Sequence, residues 1–191
     1  MNVDQQRQDY VAALDWVSGL IAATRPDQLG LPTPCVEFDV RALIGHLIGT
    51  ALRGRGTVTR AYLRGTPHVV TDVADAELAP TFSGLAAEIA RAATDLRSDE
   101  LVTAAWGECS AYDALRGFTV ETVTHGWDLA VATGQDPTVL DAVAARLLAS
   151  STELVPTRLR GVMYDDAAPT ASSSATERLA YALGHQRVRG E

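Results

Sequence analysis

Val120-Glu121-Thr122-Val123-Thr124-His125-Gly126-Trp127-Asp128-Leu129-Ala130 is the stretch from which the rest of this chain is read. Glu121 and His125 stand four apart, and Asp128 follows three later. On a helix that spacing puts all three on one face. A carboxylate and an imidazole so placed can grip one divalent cation. A single helix rarely completes such a site, so a second helix must face it. His46, in Leu43-Ile44-Gly45-His46-Leu47-Ile48, is the candidate, because a surface histidine is out of place in so apolar a run. Three ligands from two helices would leave open positions on the metal, as catalytic sites do. Zinc is the expected ion; nickel, iron and manganese accept the same donors.

Each of these residues also has a plainer reading. His125 could be a hydrogen-bonded core histidine. Glu121, one turn away, is costly to bury alone, so the pair must be solvated, mutually hydrogen-bonded or metal-bound. Asp128 is read as the acceptor that orients His125 rather than as a fourth ligand. Trp127 reads as core packing. Cys35 precedes a helix start, where a thiolate gains stability, but a small buried residue in a proline-rich turn is the preferred reading. His68, in a loop, and His185, near the C-terminus, are both expected to face solvent.

Working outward, helical periodicity dominates. Val3, Tyr10, Leu14, Val17 and Ile21 mark a first helix over residues 4–24. Pro32 and Pro34 make the next segment an extended connector. Asp39 is an N-cap for a second helix reaching to about Leu63, whose later, Arg-rich half should face solvent. A loop follows to Pro80. Thr81 should cap a third helix over 82–97, and residues 98–110 break the pattern without a hairpin signal. A fourth helix spans 111–133, with Gly134 where a terminal glycine belongs. Asp136-Pro137 opens a fifth helix to about Leu154, ended by Pro156. Arg158-Leu159-Arg160-Gly161-Val162-Met163 reads as an extended piece. Ser174-Ala175-Thr176-Glu177 is a capping box opening a short last helix that ends at Gly184. The expected architecture is all-α: a four-helix bundle with two further C-terminal helices packed outside. The metal-binding bundle should occupy residues 1–155, and residues 156–191 should form an extension packed on the same domain.

Composition narrows the function classes. A net charge of -8 over 191 residues, with no basic block beyond Arg53, Arg55, Arg60 and Arg64, argues against nucleic acid as a partner. All sixteen basic residues are Arg, so Schiff-base chemistry on a lysine is excluded. Two cysteines without a C-x-x-C spacing exclude a zinc ribbon. No apolar run approaches the roughly 20 residues of a membrane span, and no leader pattern opens the chain. A cytoplasmic protein with reduced thiols is expected. There is no G-x-S-x-G, P-loop or G-x-G-x-x-G.

At these residues the chain resembles the DinB/YfiT-like metal-binding bundles. It is most similar to their actinobacterial branch, which includes the mycothiol-dependent maleylpyruvate isomerase N-terminal domain. The resemblance lies in Thr33-Pro34-Cys35 through Phe38-Asp39-Val40-Arg41-Ala42-Leu43 to His46, in Glu121-x-x-x-His125-Gly126-Trp127-Asp128-Leu129-Ala130-x-Ala132-x-Gly134, and in Ala175-Thr176-Glu177-Arg178-Leu179 to Leu183-Gly184. It implies an up-down-down-up four-helix bundle and a divalent metal on His46, Glu121 and His125. Characterised relatives use a low-molecular-weight thiol for isomerisation or S-transfer, so the resemblance implies mycothiol as thiol cosubstrate and a small electrophile as substrate. That branch commonly has Trp where Phe38 stands. The isomerase carries a further C-terminal domain that this length does not accommodate, so maleylpyruvate itself is not the expected substrate. Two readings remain beside the enzyme: a non-catalytic metal- or ligand-binding bundle, and a structural homodimeric bundle without metal.

Overall fold

A computed structural model describes residues 3–62, 64–149, 160–161 and 165–187. Among them run α1 (Val3–Ala23), α2 (Val40–Val58), α3 (Leu78–Ala92), β1 (Leu101–Ala104), β2 (Gly107–Ser110), α4 (Ala111–Thr133), α5 (Asp141–Ala149) and α6 (Ala175–Ala182). The expected caps are made. Asp39 accepts from the Ala42 amide at 2.7 Å, and Ser174 accepts from the Glu177 amide at 3.3 Å. Gly134 closes α4 at φ 71°, a conformation that costs glycine little.

Side-chain contacts fix the helix directions. Tyr10, early in α1, stacks on Phe118, early in α4, with ring centroids 5.9 Å apart. Gln135, just past α4, donates to the Leu20 carbonyl late in α1, so these two helices run parallel. Arg41 opens α2 and bonds Asp75, just ahead of α3. Arg55, near the end of α2, pairs with Glu88 far along α3, so this pair is parallel as well. Arg7 on α1 donates to the Ala93 carbonyl beyond the end of α3. His46 near the start of α2 meets His125 in the second half of α4. The two pairs therefore oppose one another, which is the up-down-down-up bundle expected from the resemblance. Neighbours follow the ring order α1, α4, α2, α3. Because α2 and α3 are parallel, residues 59–77 must cross the length of the bundle between them.

The core is one apolar cluster from all four long helices, including Tyr10, Leu14, Leu43, Leu47, Phe82, Ile89, Leu115 and Phe118. Trp127 is fully buried, as expected. A second cluster, with Val123, Leu140, Val143, Leu147, Leu179 and Leu183, fastens α5 and α6 to the outside of α4. The buried Asp9 of α1 accepts two bonds from the Arg146 guanidinium of α5, one of them at 3.1 Å. No helix among the described residues is long and apolar enough to cross a membrane.

Five local expectations are corrected. α2 ends at Val58 rather than near Leu63, and Arg60 turns left-handed at φ 57°. The Thr57-Val58-Thr59 run is β-branched, and Thr59 turns its hydroxyl back onto the Arg55 carbonyl at 2.8 Å, competing with further helix. Nor does the Arg-rich half of α2 lie in solvent: Gly54, Gly56, Thr57 and Val58 are buried, and half-buried Arg53 bonds Pro67 and Thr50. Helix α3 begins at Leu78, because Pro80 fits a first turn that needs no donor from it, and the helix tightens into a 3₁₀ turn at Ala93–Asp95. Residues 101–110 do form an antiparallel hairpin. Its Ala105-Trp106 loop has no left-handed residue; the positive φ of 119° falls on Gly107, after the loop, so the usual Asn-Gly type signature is missing. In the fifth helix, Asp136 caps a turn through Thr138, and regular helix starts only at Asp141. Residues 150–154, the boundary at 155, Pro156 and most of the extended piece at 158–163 lie outside the described residues.

Candidate metal centre

His46 owes its surroundings to two glycines. The crossover segment lies directly on α2 at Gly45 and Gly49, where a Cβ would run into the Val70 and Pro67 carbonyl oxygens. With the segment seated there, the Val70 amide donates to the Gly45 carbonyl at 3.1 Å. The His68 carbonyl comes within 3.1 Å of His46 Nδ1. A carbonyl only accepts, so Nδ1 carries the proton, and on the ring's other side the Thr50 hydroxyl stands 3.5 Å from Nε2. Phe38, on the connector, stacks on the His46 ring at 5.2 Å and 25°. Burial, reinforced by the nearby His125, His68 and Arg53, pushes the His46 pKa down to about 2, so this imidazole is neutral.

The α4 side is built the same way. Asp128 is fully buried one turn beyond His125 and accepts from His125 Nδ1 at 3.0 Å. That bond turns Nε2 the other way, where it stands 3.9 Å from Glu121 Oε2. This separation is too long for a hydrogen bond. It approaches the roughly 3.3 Å edge that two ligands of one tetrahedral zinc would span. A ligand atom from each of His46, Glu121 and His125 lies within 4.8 Å of the other two. The structure thus brings together all three residues singled out in the sequence, with Asp128 hydrogen-bonded to His125.

One participant was missed. His185 is not solvent-exposed: it is largely buried and donates from Nδ1 to the same Asp128 oxygen at 2.8 Å. No periodicity pointed to it. It follows Gly184, whose φ of 95° turns the chain back after α6. Burial opposes the charged form of His185, but the Asp128 hydrogen bond and charge outweigh it and raise the pKa. For Asp128, burial works to raise the pKa, and the two imidazole hydrogen bonds more than offset it, so the carboxyl titrates below its usual range. Cys35 is only partly buried, short of the full burial expected. Burial and the Asp128 charge push its thiol up to about 12, so it is no ready nucleophile. His68 is exposed, as expected.

These groups line a cleft of about 810 Å³ whose wall includes Cys35, Phe38, His46, Glu121, His125 and His185. A separate cleft of about 460 Å³, between Ile21, Leu29, Ile44 and Leu78, has Asp75 as its one ionisable lining side chain. It has no donor set for chemistry.

With the geometry in hand, likeness to known proteins becomes informative. The family model described as the mycothiol maleylpyruvate isomerase N-terminal domain matches residues 10–130. Two uncharacterised proteins from two strains of Mycobacterium tuberculosis are each 32% identical over 158 residues, covering 82% of this chain and 80% of theirs. Two solved structures of the mycothiol-dependent maleylpyruvate isomerase, one of them a histidine-to-alanine mutant, superpose with a TM-score of 0.58. They cover 78% of this chain and 69% of their own, at 14% and 13% identity. That likeness is one of fold.

Proposed function

The chain belongs to the mycothiol maleylpyruvate isomerase N-terminal domain family, and from that premise we propose that it is a metal-dependent enzyme that uses a low-molecular-weight thiol of the mycothiol type to isomerise, or to transfer sulfur to, a small electrophile. The observation that carries the proposal is the convergence of His46, Glu121 and His125, with each imidazole held at Nδ1 by a carbonyl or a carboxylate. Two neutral nitrogens and one carboxylate suit zinc first, and nickel, iron or manganese after it. Bound there, such an ion would supply Lewis acidity and lower the pKa of a coordinated thiol.

The chain's own residues do the rest. The His68 carbonyl and the Asp128 carboxylate hold the two Nδ1 protons, so both rings are oriented before any ligand arrives. Glu121 contributes the one negative charge among the three donors, offsetting a dication without neutralising it. Phe38 covers one face of His46 and limits water there. The cleft of about 810 Å³ is sized for small molecules rather than for a polymer. In this reading residues 1–155 are the metal-binding bundle and 156–191 an extension on the same domain, in a cytoplasmic protein.

The test has two steps. Elemental analysis of protein purified without an affinity-tag metal should find close to one divalent ion per chain. Turnover of mycothiol with small electrophiles should stop on chelation and return with zinc. Metal without turnover on any such pair would make the chain a non-catalytic metal-binding bundle. Absence of metal affinity would remove the proposal altogether.

A further inference from the structure

The far side of His125 carries a second donor set that the proposed centre does not use. Cys35, His125, Asp128 and His185 each offer a ligand atom within 4.8 Å of the other three. They come from the connector before α2, from α4 and from the segment after α6, so this is not one element's local cluster. A tetrahedral zinc site with one sulfur has ligand–ligand edges of roughly 3.3–3.8 Å, from Zn–S of about 2.3 Å and Zn–N of about 2.0 Å. Closing the set onto an ion requires shifts on the order of 1 Å. Cys35 and His185 lie on irregular segments that can make them, while Asp128 and His125 stay on the helix.

An independent observation points the same way. Asp128 is fully buried, yet its Oδ1 has no hydrogen-bond partner among the described residues, both imidazoles being spent on Oδ2. A buried carboxylate oxygen with no partner is costly. A cation beside it would remove that cost.

We propose that Cys35, Asp128, His185 and the Nδ1 side of His125 form a second centre for a thiophilic divalent cation, of the zinc, cobalt or cadmium class. Binding replaces protons with metal: the Cys35 thiol gives its proton to solvent, and His185 gives up the one it shares with Asp128. His125 moves its proton from Nδ1 to Nε2. With Nε2 protonated, His125 has no lone pair for an ion shared with His46 and Glu121. The two centres therefore compete for one imidazole, and thiophilic metal in excess inhibits whatever the first centre does.

Cobalt(II) titration of the whole chain tests this, because a thiolate bound to cobalt gives a charge-transfer absorption that nitrogen and oxygen ligands do not. The band should appear in the wild type and in Cys109→Ser, and should be absent in Cys35→Ser. His185→Ala should weaken the cobalt that gives the band by more than about tenfold, the low end for losing even an outer partner of a metal. His46→Ala should leave the band in place, which separates this centre from the proposed catalytic one. No band at saturation in the wild type, a band surviving Cys35→Ser, or undiminished affinity in His185→Ala would overturn the proposal.

Discussion

The imidazoles of His46 and His125, carried by antiparallel helices, meet with ring centroids 4.6 Å apart and planes at 74°. Each ring turns its Nδ1 away, to a carbonyl or a carboxylate. That arrangement lets the two rings approach without a hydrogen bond between their Nδ1 atoms.

Removing either ring should therefore empty the centre between α2 and α4 rather than unfold the bundle. Isothermal titration with zinc is expected to show His125→Ala without measurable high-affinity binding, because that ring serves both donor sets. Glu121→Gln keeps an oxygen donor but loses the charge, so its loss should be smaller. Asp128→Asn should cost about 10–100-fold, as removal of an outer partner does. Full affinity in both His46→Ala and His125→Ala, with helical content intact, would leave a bundle whose polar core residues only bond one another.

Metal should stabilise the folded chain. An ion held between α2 and α4 binds the native state, and at a free concentration of one hundred times Kd adds about 2.7 kcal/mol. Thermal melts with and without chelator, on protein shown to start loaded, should differ by several degrees. Coincident melts would refute the bridge.

The seat of the crossover segment gives a purely steric prediction. In Gly49→Ala the new Cβ would stand 2.8 Å from the Pro67 carbonyl oxygen, which is backbone and cannot step aside cheaply. The segment should lift, weakening the His68–His46 bond. A loss of about 1–3 kcal/mol is expected in urea unfolding, as for overpacking elsewhere. Zinc affinity should fall with it, even though no ligand is changed.

In metal-stripped protein the histidines should set opposing pH limits. His46, pushed down to about 2 by burial, is neutral when folded but protonates when unfolded near 6.5. Its stabilisation is present above 6.5 and is lost as pH falls from there towards 2. His185, raised by Asp128 despite its burial, behaves oppositely: its contribution is present below 6.5 and fades as pH rises through its folded pKa. Melting temperature against pH in chelator should pass through a maximum. His185→Gln should flatten the alkaline limb and leave the acid limb.

How far the sequence could be read depended on whether a signal was local. Asp39, Ser174 and Gly134 act on backbone groups within a few residues, and each does in the structure what its position announced. Glu121, His125 and Asp128 share a face through helical periodicity alone. His46 was legible because an ionisable residue interrupts an apolar run. His185 was not, since its partner is Asp128 and nothing in residues 180–187 records a carboxylate arriving from α4. The hairpin was missed because its positive φ sits on Gly107, after the turn. The end of α2 was misread because the Gly54 and Gly56 region packs against other segments rather than against solvent.

The ring order of the bundle also governs how the chain can fold. The one consecutive pair of long helices that lies side by side, α2 and α3, is parallel and joined by the 59–77 crossover, while α1 and α2 sit across the bundle, and α1 must wait for α3 and α4 to find lengthwise neighbours. Tyr10 meets its stacking partner only at Phe118. Compared with a bundle of simple helical hairpins, loop closure must precede most of the contacts that reward it, so folding should be slower than helix content alone suggests. A chain cut after α2 would have two helices and no shared seam. Folding intermediates should be sparse until α4 joins, and refolding should be tightly cooperative.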